Sequence, residues 1–367
     1  MTTRPDGAAL PDGAAPLAGP PGGPLPRRRL GRSAVEVTEL SFGGAALGNL
    51  FTAVSDSDAQ DAVDAAWAGG IRAFDTAPHY GLGLSERRIG AALAGRPRDD
   101  YVLSTKVGRL LEPAGPDAGR DPEGFDVPAD VVRRFDYSAD GVRRSLEASL
   151  GRLGLDRVDI ALIHDPDDHA EQAFGEAYPA LEKLRAEGVV RAIGVGMNQA
   201  QMLTRFVAET DIDVVLVAGR YTLLDRSAAD ALLPAAVDRG VCVIAGGVFN
   251  SGLLAAPAPG ATYEYKAAPD SLVSRALRLQ DTCAGFGVQL RAAAARFPLR
   301  HPAVASVLIG ARNAAEITDA IRQRSLDIPA ALWEALAASD EPGGATVLGQ
   351  TVTVAAQTPE MGAGSWR

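Results

Sequence analysis

From about residue 30 to residue 324 the chain repeats one pattern. A short apolar run meets a polar or glycine turn and gives way to a longer segment with apolar residues at helical spacing. After a short hairpin turning at 31–33, the pattern predicts strands near 38–42, 71–74, 101–105, 158–163, 190–195, 214–217, 241–244 and 305–309. It predicts helices over 56–68, 85–93, 139–152, 171–187, 199–209, 228–239, 271–286 and 314–324. Ser55 or Asp56 and Ser138 stand where N-caps belong, and Gly188 stands where a helix stops. Eight strand–helix units in about 290 residues imply a parallel sheet with right-handed crossovers. That number favours a closed (β/α)8 TIM barrel over an open doubly wound sheet. The glycine-rich SFGGAALGNL lacks the G-x-G-x-x-G spacing of an open dinucleotide-binding sheet.

The flanks and one internal stretch break the rhythm. Residues 1–26 are rich in Pro, Gly and Ala without apolar periodicity, and are expected to be a disordered leader. The barrel is expected over 27–340, with a tail over 341–367. Residues 109–137 are rich in Pro, Gly and Asp, and a loop of that length inside a compact domain is usually functional.

Three predicted strand ends carry chemistry: IRAFDTAPHYG, DDYVLSTKVGR and VDIALIHDPDD. Asp75, Tyr80, Lys106 and His164 therefore arrive together on one face of a parallel barrel, the face where barrels place their active sites. Taken singly, each has a structural explanation: a turn cap, a lid aromatic, a rim charge, a rim imidazole. Together they suit alcohol–carbonyl interconversion. A free phenol titrates near pH ~10, too high for a base, and an adjacent ammonium favours its ionised form. A carboxylate holds the ammonium, and an imidazole orients the substrate oxygen. Arg carries nearly all the positive charge, and the only lysines are Lys106, Lys183 and Lys266, so a lysine after an apolar strand is no casual surface choice.

Such a reaction needs a hydride carrier, which side chains cannot be. VLIGARNAAEITDAI ends the last predicted strand, turns at Gly310, Ala311 and Arg312, and opens a helix at Asn313. A helix N-terminus with glycine suits a phosphate, and Arg312 suits a 2′-phosphate. A plain strand–helix loop with an Asn cap is the structural alternative.

Composition narrows the partners. The net charge is −10 with pI about 5.0 and no basic stripe, which argues against nucleic acid. Two cysteines form neither a disulfide framework nor a zinc spacing, so no metal is expected. With no run of 18 apolar residues no membrane span is expected, and with no apolar h-region at the N-terminus no secretory signal is expected, so the cytoplasm is the default. A monomer or small homo-oligomer is expected.

DTAPHYG, the STK of the third strand, the His of the fourth, IGVGMN and GARNAAEI fall in the order found in aldo-keto reductases, and the chain resembles that family over about 30–324. The resemblance implies Tyr80 as acid/base, Lys106 and Asp75 tuning it, His164 positioning the substrate, and NAD or NADP without a Rossmann motif. It implies Asn198, or its neighbour Met197, at the nicotinamide carboxamide, and Gly310, Ala311, Arg312, Asn313 and Glu316 at the cofactor. RYTLLD and GG-x-FNSG resemble the branch of L-fucose and D-threo-aldose 1-dehydrogenases, near plant L-galactose dehydrogenase and pyridoxal 4-dehydrogenase. That branch implies oxidation of a free aldose at C1 to a lactone, with Asn49, His79 and Tyr221 at the substrate. Aldehyde reduction or pyridoxal oxidation are the alternatives on the same fold, and a cofactor-sensing regulatory subunit is a rival of another class. Ala218 stands where many members have Gln, and Gly246 where many have a stacking Tyr, leaving Phe249 as the aromatic face. The 109–137 insertion exceeds the minimal family loop and is expected to cover the substrate mouth.

Overall fold

A computed structural model describes residues 25–115, 119–264 and 266–338. The expected tail and the expected leader through residue 24 lie outside the described residues. Leu25 packs against the core, and the Pro26 carbonyl accepts from Glu39 N at 2.9 Å.

The chain opens with the antiparallel hairpin β1 (Arg27–Arg29) and β2 (Glu36–Thr38). Then come β3 (Leu40–Gly43), α1 (Asp56–Ala68), β4 (Ala73–Asp75), α2 (Leu84–Leu93) and β5 (Val102–Val107). The insertion forms β6 (Arg109–Pro113) and β7 (Val131–Phe135), followed by α3 (Ala139–Leu153) and β8 (Ile160–His164). Next are α4 (Ala170–Gln172), α5 (Tyr178–Ala186), β9 (Ala192–Met197), α6 (Ala200–Glu209), β10 (Val214–Ala218), α7 (Leu232–Arg239) and β11 (Cys242–Gly246). A two-stranded excursion, β12 (Thr262–Tyr263) and β13 (Lys266–Ala267), leads to α8 (Asp270–Gly285) and α9 (Leu290–Arg296). The last elements are β14 (Val304–Gly310), α10 (Ala314–Ser325) and α11 (Ala330–Ala338).

Strands β3, β4, β5, β8, β9, β10, β11 and β14 pair in parallel and close into an eight-stranded barrel, as the alternation predicted. Alternate residues of each strand face opposite sides. Ala73, Val102, Ile160, Leu162, Ala192, Val214 and Leu216 form the lumen core, to which the first hairpin adds Leu30, Val35 and Val37. Phe74, Leu103, Val107, Ala161, Ile163, Ile193 and Val215 face the helices and build the main core. In β9 the lumen positions after Ala192 are Gly194 and Gly196. A Cβ on Gly194 would lie 1.8 Å from the Val214 carbonyl oxygen, so only glycine lets β9 approach β10.

Ser55 and Ser138 cap α1 and α3 as read, accepting from Asp58 N and Gly141 N. Three expectations change. The helix expected over 171–187 is broken by a π-helical turn at Ala173–Ala177 just before Pro179, which lacks the N–H for a regular bond. The helix expected over 228–239 begins only at Leu232, after a 3-10 turn at Ser227–Ala229. The described residues of the 109–137 segment form a folded lobe rather than an open loop. β6 and β7 pair from Arg109–Phe135 to Pro113–Val131, and Phe125, Val127, Ala129 and Leu82 form a small core beneath. Helices α9 and α11 had no strong amphipathic signal. The first centres on four consecutive buried alanines, Ala292–Ala295, and the second exists because Leu332 and Leu336 dock on α8. Among the described residues no helix is long and apolar enough to cross a membrane.

Gly194→Ala should break the β9–β10 approach and unfold the barrel, lowering the melting temperature by many degrees or abolishing soluble expression. Thermal unfolding followed by circular dichroism checks this; a variant melting within a degree or so of wild type contradicts the packing argument.

Candidate active site

Strand parity brings the site together. Asp75 shares its face with Ala73, Lys106 with Val102 and Ser104, and His164 with Ile160 and Leu162, so all three side chains project into the upper lumen. The register sets Asp75 beside Ser104 and Lys106 beside Leu162. Lys106 and His164 are inside their strands rather than just after them, because β5 and β8 each run beyond their apolar stretch. Gly196, paired with His164, leaves the lumen open, and a Cβ there would meet Lys106 Cε at 3.5 Å.

Lys106 is 1% exposed, and all three of its ammonium hydrogens find acceptors. Nζ donates to Asp75 Oδ2 at 2.6 Å, to the Thr76 carbonyl at 3.0 Å and to Tyr80 Oη at 3.1 Å. Ser104 Oγ donates to Asp75 Oδ1 at 2.7 Å, fixing the carboxylate. Burial pulls the ammonium down most strongly, but Asp75 and Tyr80 together outweigh it and hold Lys106 above its usual value. Because Lys106 donates to the phenol oxygen, the phenol's own hydrogen is left for another acceptor. Burial pushes Tyr80 up to about 12 against the downward pull of Lys106, so the net shift is opposite to the one the sequence suggested. The ammonium offsets part of the burial cost and leaves the phenol protonated at neutral pH.

Two imidazoles face the phenol. The His164 ring stands edge-on to Tyr80 with centroids 5.9 Å apart, and His79 lies 5.5 Å from His164. Burial, with Arg109 and Lys106 next, pushes His164 far below the usual imidazole range. Burial, Arg109 and Arg133 push His79 down to about 2. Both rings are neutral and serve as hydrogen-bonding groups. Arg109 Nη1 lies 3.0 Å from His79 Nδ1, and a guanidinium only donates, so that nitrogen accepts and Nε2 carries the proton.

The lobe roofs this cluster. Phe125 packs 5.1 Å from His79 and 6.2 Å from Tyr80. Arg133 is fixed by Asp121 at 2.6 and 2.8 Å and donates to the His79 carbonyl at 2.9 Å. Tyr137, fully buried, donates to the His164 carbonyl at 2.6 Å and the Asp165 carbonyl at 2.9 Å.

The remaining expected residues divide. His79 joins the cluster. The Asn49 side chain binds Val54 N, the Asp126 carbonyl and Arg88, tying its loop to the segment beside Phe125. Tyr221 packs on Phe297 at 5.1 Å and His301 at 6.0 Å. Gly310 pairs with Gly43, and a Cβ on it would meet only that backbone oxygen at 3.7 Å. Ala311 is buried beneath the turn. Asn313 caps α10 by accepting from Glu316 N. Arg312 is not free: its backbone N and its guanidinium both bind Glu316, at 2.8 and 2.5 Å. Asn198 is exposed at the end of β9, with its carbonyl held by Arg220, while neighbouring Met197 is buried. Phe249 is partly buried at the seam of two cores. Sequence reasoning missed Asp165, Arg109 and Phe125. The available signal was an acid directly after His164 and an arginine three residues after Lys106.

The described family model "Aldo/keto reductase family" matches residues 39–341. A D-threo-aldose 1-dehydrogenase of a Pseudomonas species is 47% identical over 310 residues, covering 82% of this chain and 93% of that one. A pyridoxal 4-dehydrogenase of Microbacterium luteolum is 40% identical, covering 84% and 96%. An L-galactose dehydrogenase of Arabidopsis thaliana is 33% identical, covering 80% and 86%. The solved holo form of an aldo-keto reductase from Bacillus halodurans superposes with TM-score 0.69 at 26% identity, covering 86% and 96%.

Lys106→Met should cost about 3–5 kcal/mol, because it leaves Asp75 buried opposite a methyl group. Adding Asp75→Asn should recover part of the loss. The folded value of Lys106 lies above its ordinary 10.5, so its stabilisation is fully present below that pH and fades only as pH rises through the higher folded value. Urea unfolding should therefore give a difference between wild type and variant that is flat from roughly pH 6 to 9. A double variant less stable than Lys106→Met alone would contradict the pairing.

Proposed function

This chain belongs to the aldo/keto reductase family, and on that premise we propose that it oxidises the anomeric C1 hydroxyl of a free aldose to a lactone, with NAD or NADP as hydride acceptor. The observation that carries this reading is the buried ammonium 3.1 Å from a phenol whose hydrogen is unused, with a neutral imidazole on its other side. The relative named for aldose oxidation at C1, at 47% identity, supports the substrate class.

In this reading Tyr80 and His164 hold the C1 oxygen between them. The His164 imidazole, neutral across the working range, donates a hydrogen bond and takes no proton. Tyr80 Oη receives the hydroxyl proton as the C1 hydrogen leaves with its electron pair. A nicotinamide bound at the residues named below would supply the hydride acceptor, which no side chain provides. Because burial keeps the phenol protonated at neutral pH, only its ionised fraction accepts the proton, and oxidation accelerates toward alkaline pH. The Phe125 roof reduces water at the site, which strengthens these polar contacts.

The residues fit a nicotinamide cofactor. Gly246 and Ala218 leave the ends of β11 and β10 without long side chains, and Gly43 and Gly310 leave the β3–β14 edge clear. Asn198 would meet the carboxamide, Phe249 the ring side, and Gly310, Ala311 and the start of α10 the phosphates. Arg312 and Glu316 would meet the adenosine end as a neutral pair. Glu316 favours a ribose hydroxyl over a 2′-phosphate, which would have to draw Arg312 away.

The 40% identity to a pyridoxal 4-dehydrogenase supports pyridoxal as a second substrate candidate. Initial rates on a panel of free aldoses and pyridoxal, with each cofactor at alkaline pH, separate the two. The proposal expects lactone from at least one aldose and a Tyr80→Phe variant reduced by at least about 10² in kcat with cofactor affinity kept. No aldose turnover, or a Phe variant near wild-type rate, would refute it.

Glu316→Gln should free Arg312 and improve NADP affinity relative to NAD by roughly tenfold, while Arg312→Ala should weaken NADP by roughly 10- to 150-fold. Cofactor titration by fluorescence reads both, and equal effects on the two cofactors would move Arg312 off the 2′ position.

A further inference from the structure

Asp165 is held in an unusual posture that the reaction at C1 does not require. It follows His164 at the top of β8 with φ +40, in the left-handed region that a non-glycine residue rarely adopts. Its backbone is pinned there from both sides. Its N–H donates to the Gly196 carbonyl at 3.0 Å, and its carbonyl accepts from Tyr137 Oη at 2.9 Å. The carboxylate is thereby turned toward the site, with Oδ2 3.4 Å from His164 Nε2.

Arg109 grips the same oxygen, with Nη2 2.6 Å from Oδ2. Its side chain is 8% exposed, its face covers the Phe135 ring at 5.2 Å, and Nη1 binds His79. Arg109 Nε is buried without a partner. The Asp165 side chain remains 32% exposed, so the carboxylate keeps lone pairs for a ligand. Both ends of the inserted lobe thus converge on one residue: Arg109, which opens β6, holds the Asp165 carboxylate, and Tyr137, which follows β7, holds its backbone carbonyl.

We propose that the Asp165–Arg109 pair reads the hydroxyl on the carbon next to the reacting one, so that the site selects a vicinal oxygen pair, as in a 2-hydroxy aldose, over its 2-deoxy counterpart. This rests on the reading of Tyr80 and His164 as the cradle of the C1 oxygen. Two oxygens on adjacent carbons lie about a hydrogen-bond length apart. The His164 Nε2 to Asp165 Oδ2 separation of 3.4 Å matches that spacing, with one oxygen at the imidazole and its neighbour at the carboxylate. A carboxylate accepts from the hydroxyl, and the guanidinium behind keeps it fixed and charged. Burial raises the Asp165 carboxyl to about 6, with Arg109 and Lys106 pulling down and Asp167 and Glu123 pushing up, so it is an acceptor at alkaline pH. A ligand lacking the hydroxyl leaves a desolvated carboxylate without its donor, which is how polar sites reject deoxy analogues.

The test compares kcat/KM for an aldose and its 2-deoxy analogue with oxidised cofactor, and for glyceraldehyde and propanal with reduced cofactor. Wild type should favour the hydroxylated member of a pair by roughly 10- to 150-fold. Asp165→Ala should bring the two members to within about threefold of each other, whatever it does to the absolute rate. Asp165→Asn, which keeps the shape and one acceptor, should fall between. Preference retained in both variants, or none in wild type, overturns the proposal. Preference for glyceraldehyde over propanal without any aldose oxidation supports the diol reading while refuting anomeric oxidation.

Discussion

The buried charge of Lys106 is the constraint on which the site depends. An ammonium removed from water costs several kcal/mol unless it is paired and fully hydrogen-bonded. Here three acceptors from three places meet it: a carboxylate on β4, a backbone carbonyl just beyond β4, and a phenol on the loop to α2. Each is available only because β4 and β5 pair in one register and the barrel is closed. The space the lysine occupies is left by Gly196 on β9. Barrel closure and site chemistry are therefore one packing problem.

The same region gathers further cations. Arg109 and Arg133 join Lys106 around the buried His164 and the partly buried His79 imidazoles, balanced by Asp75, Asp121, Glu123 and Asp165. Burial, reinforced by the cations facing the rings, keeps His79 and His164 neutral. A neutral imidazole beside a protonated phenol leaves the cluster with one dissociable hydroxyl and one uncharged hydrogen-bonding ring rather than two competing acids. The inserted lobe supplies both arginines, so it is part of the site's electrostatics as well as its roof.

Legibility in the sequence followed the range of the interactions involved. Apolar runs, serine caps and glycine stops are local, and they marked the eight barrel strands and most helices. DTAPHYG, STK and the strand-four His were legible because each sits at the edge of an apolar run. The β6–β7 lobe was not, since its short strands set Arg109, Arg133, Arg134 and Glu112 beside their apolar residues with no clean alternation and are held by cross-strand pairing. Helix α9 lacks a polar face, and α11 depends on docking against α8.

From the sequence alone came the barrel, the four residues gathered at its mouth and the family they resemble, because residue order and period-two parity dictate which side chains share a face. Tertiary structure decided the rest. The sign of the Tyr80 shift depends on how deeply the phenol is buried against how near the ammonium lies, and neither can be read from spacing. Arg312 meets Glu316 one helical turn away instead of standing open, Asn49 turns into its own loop, and Tyr221 joins the packing around Phe297. Asp165 gains its place beside His164 only because Tyr137 and Arg109, distant in sequence, hold it there. Local composition sets which groups are present, while long-range packing sets how deeply each is buried and where its hydrogen bonds go.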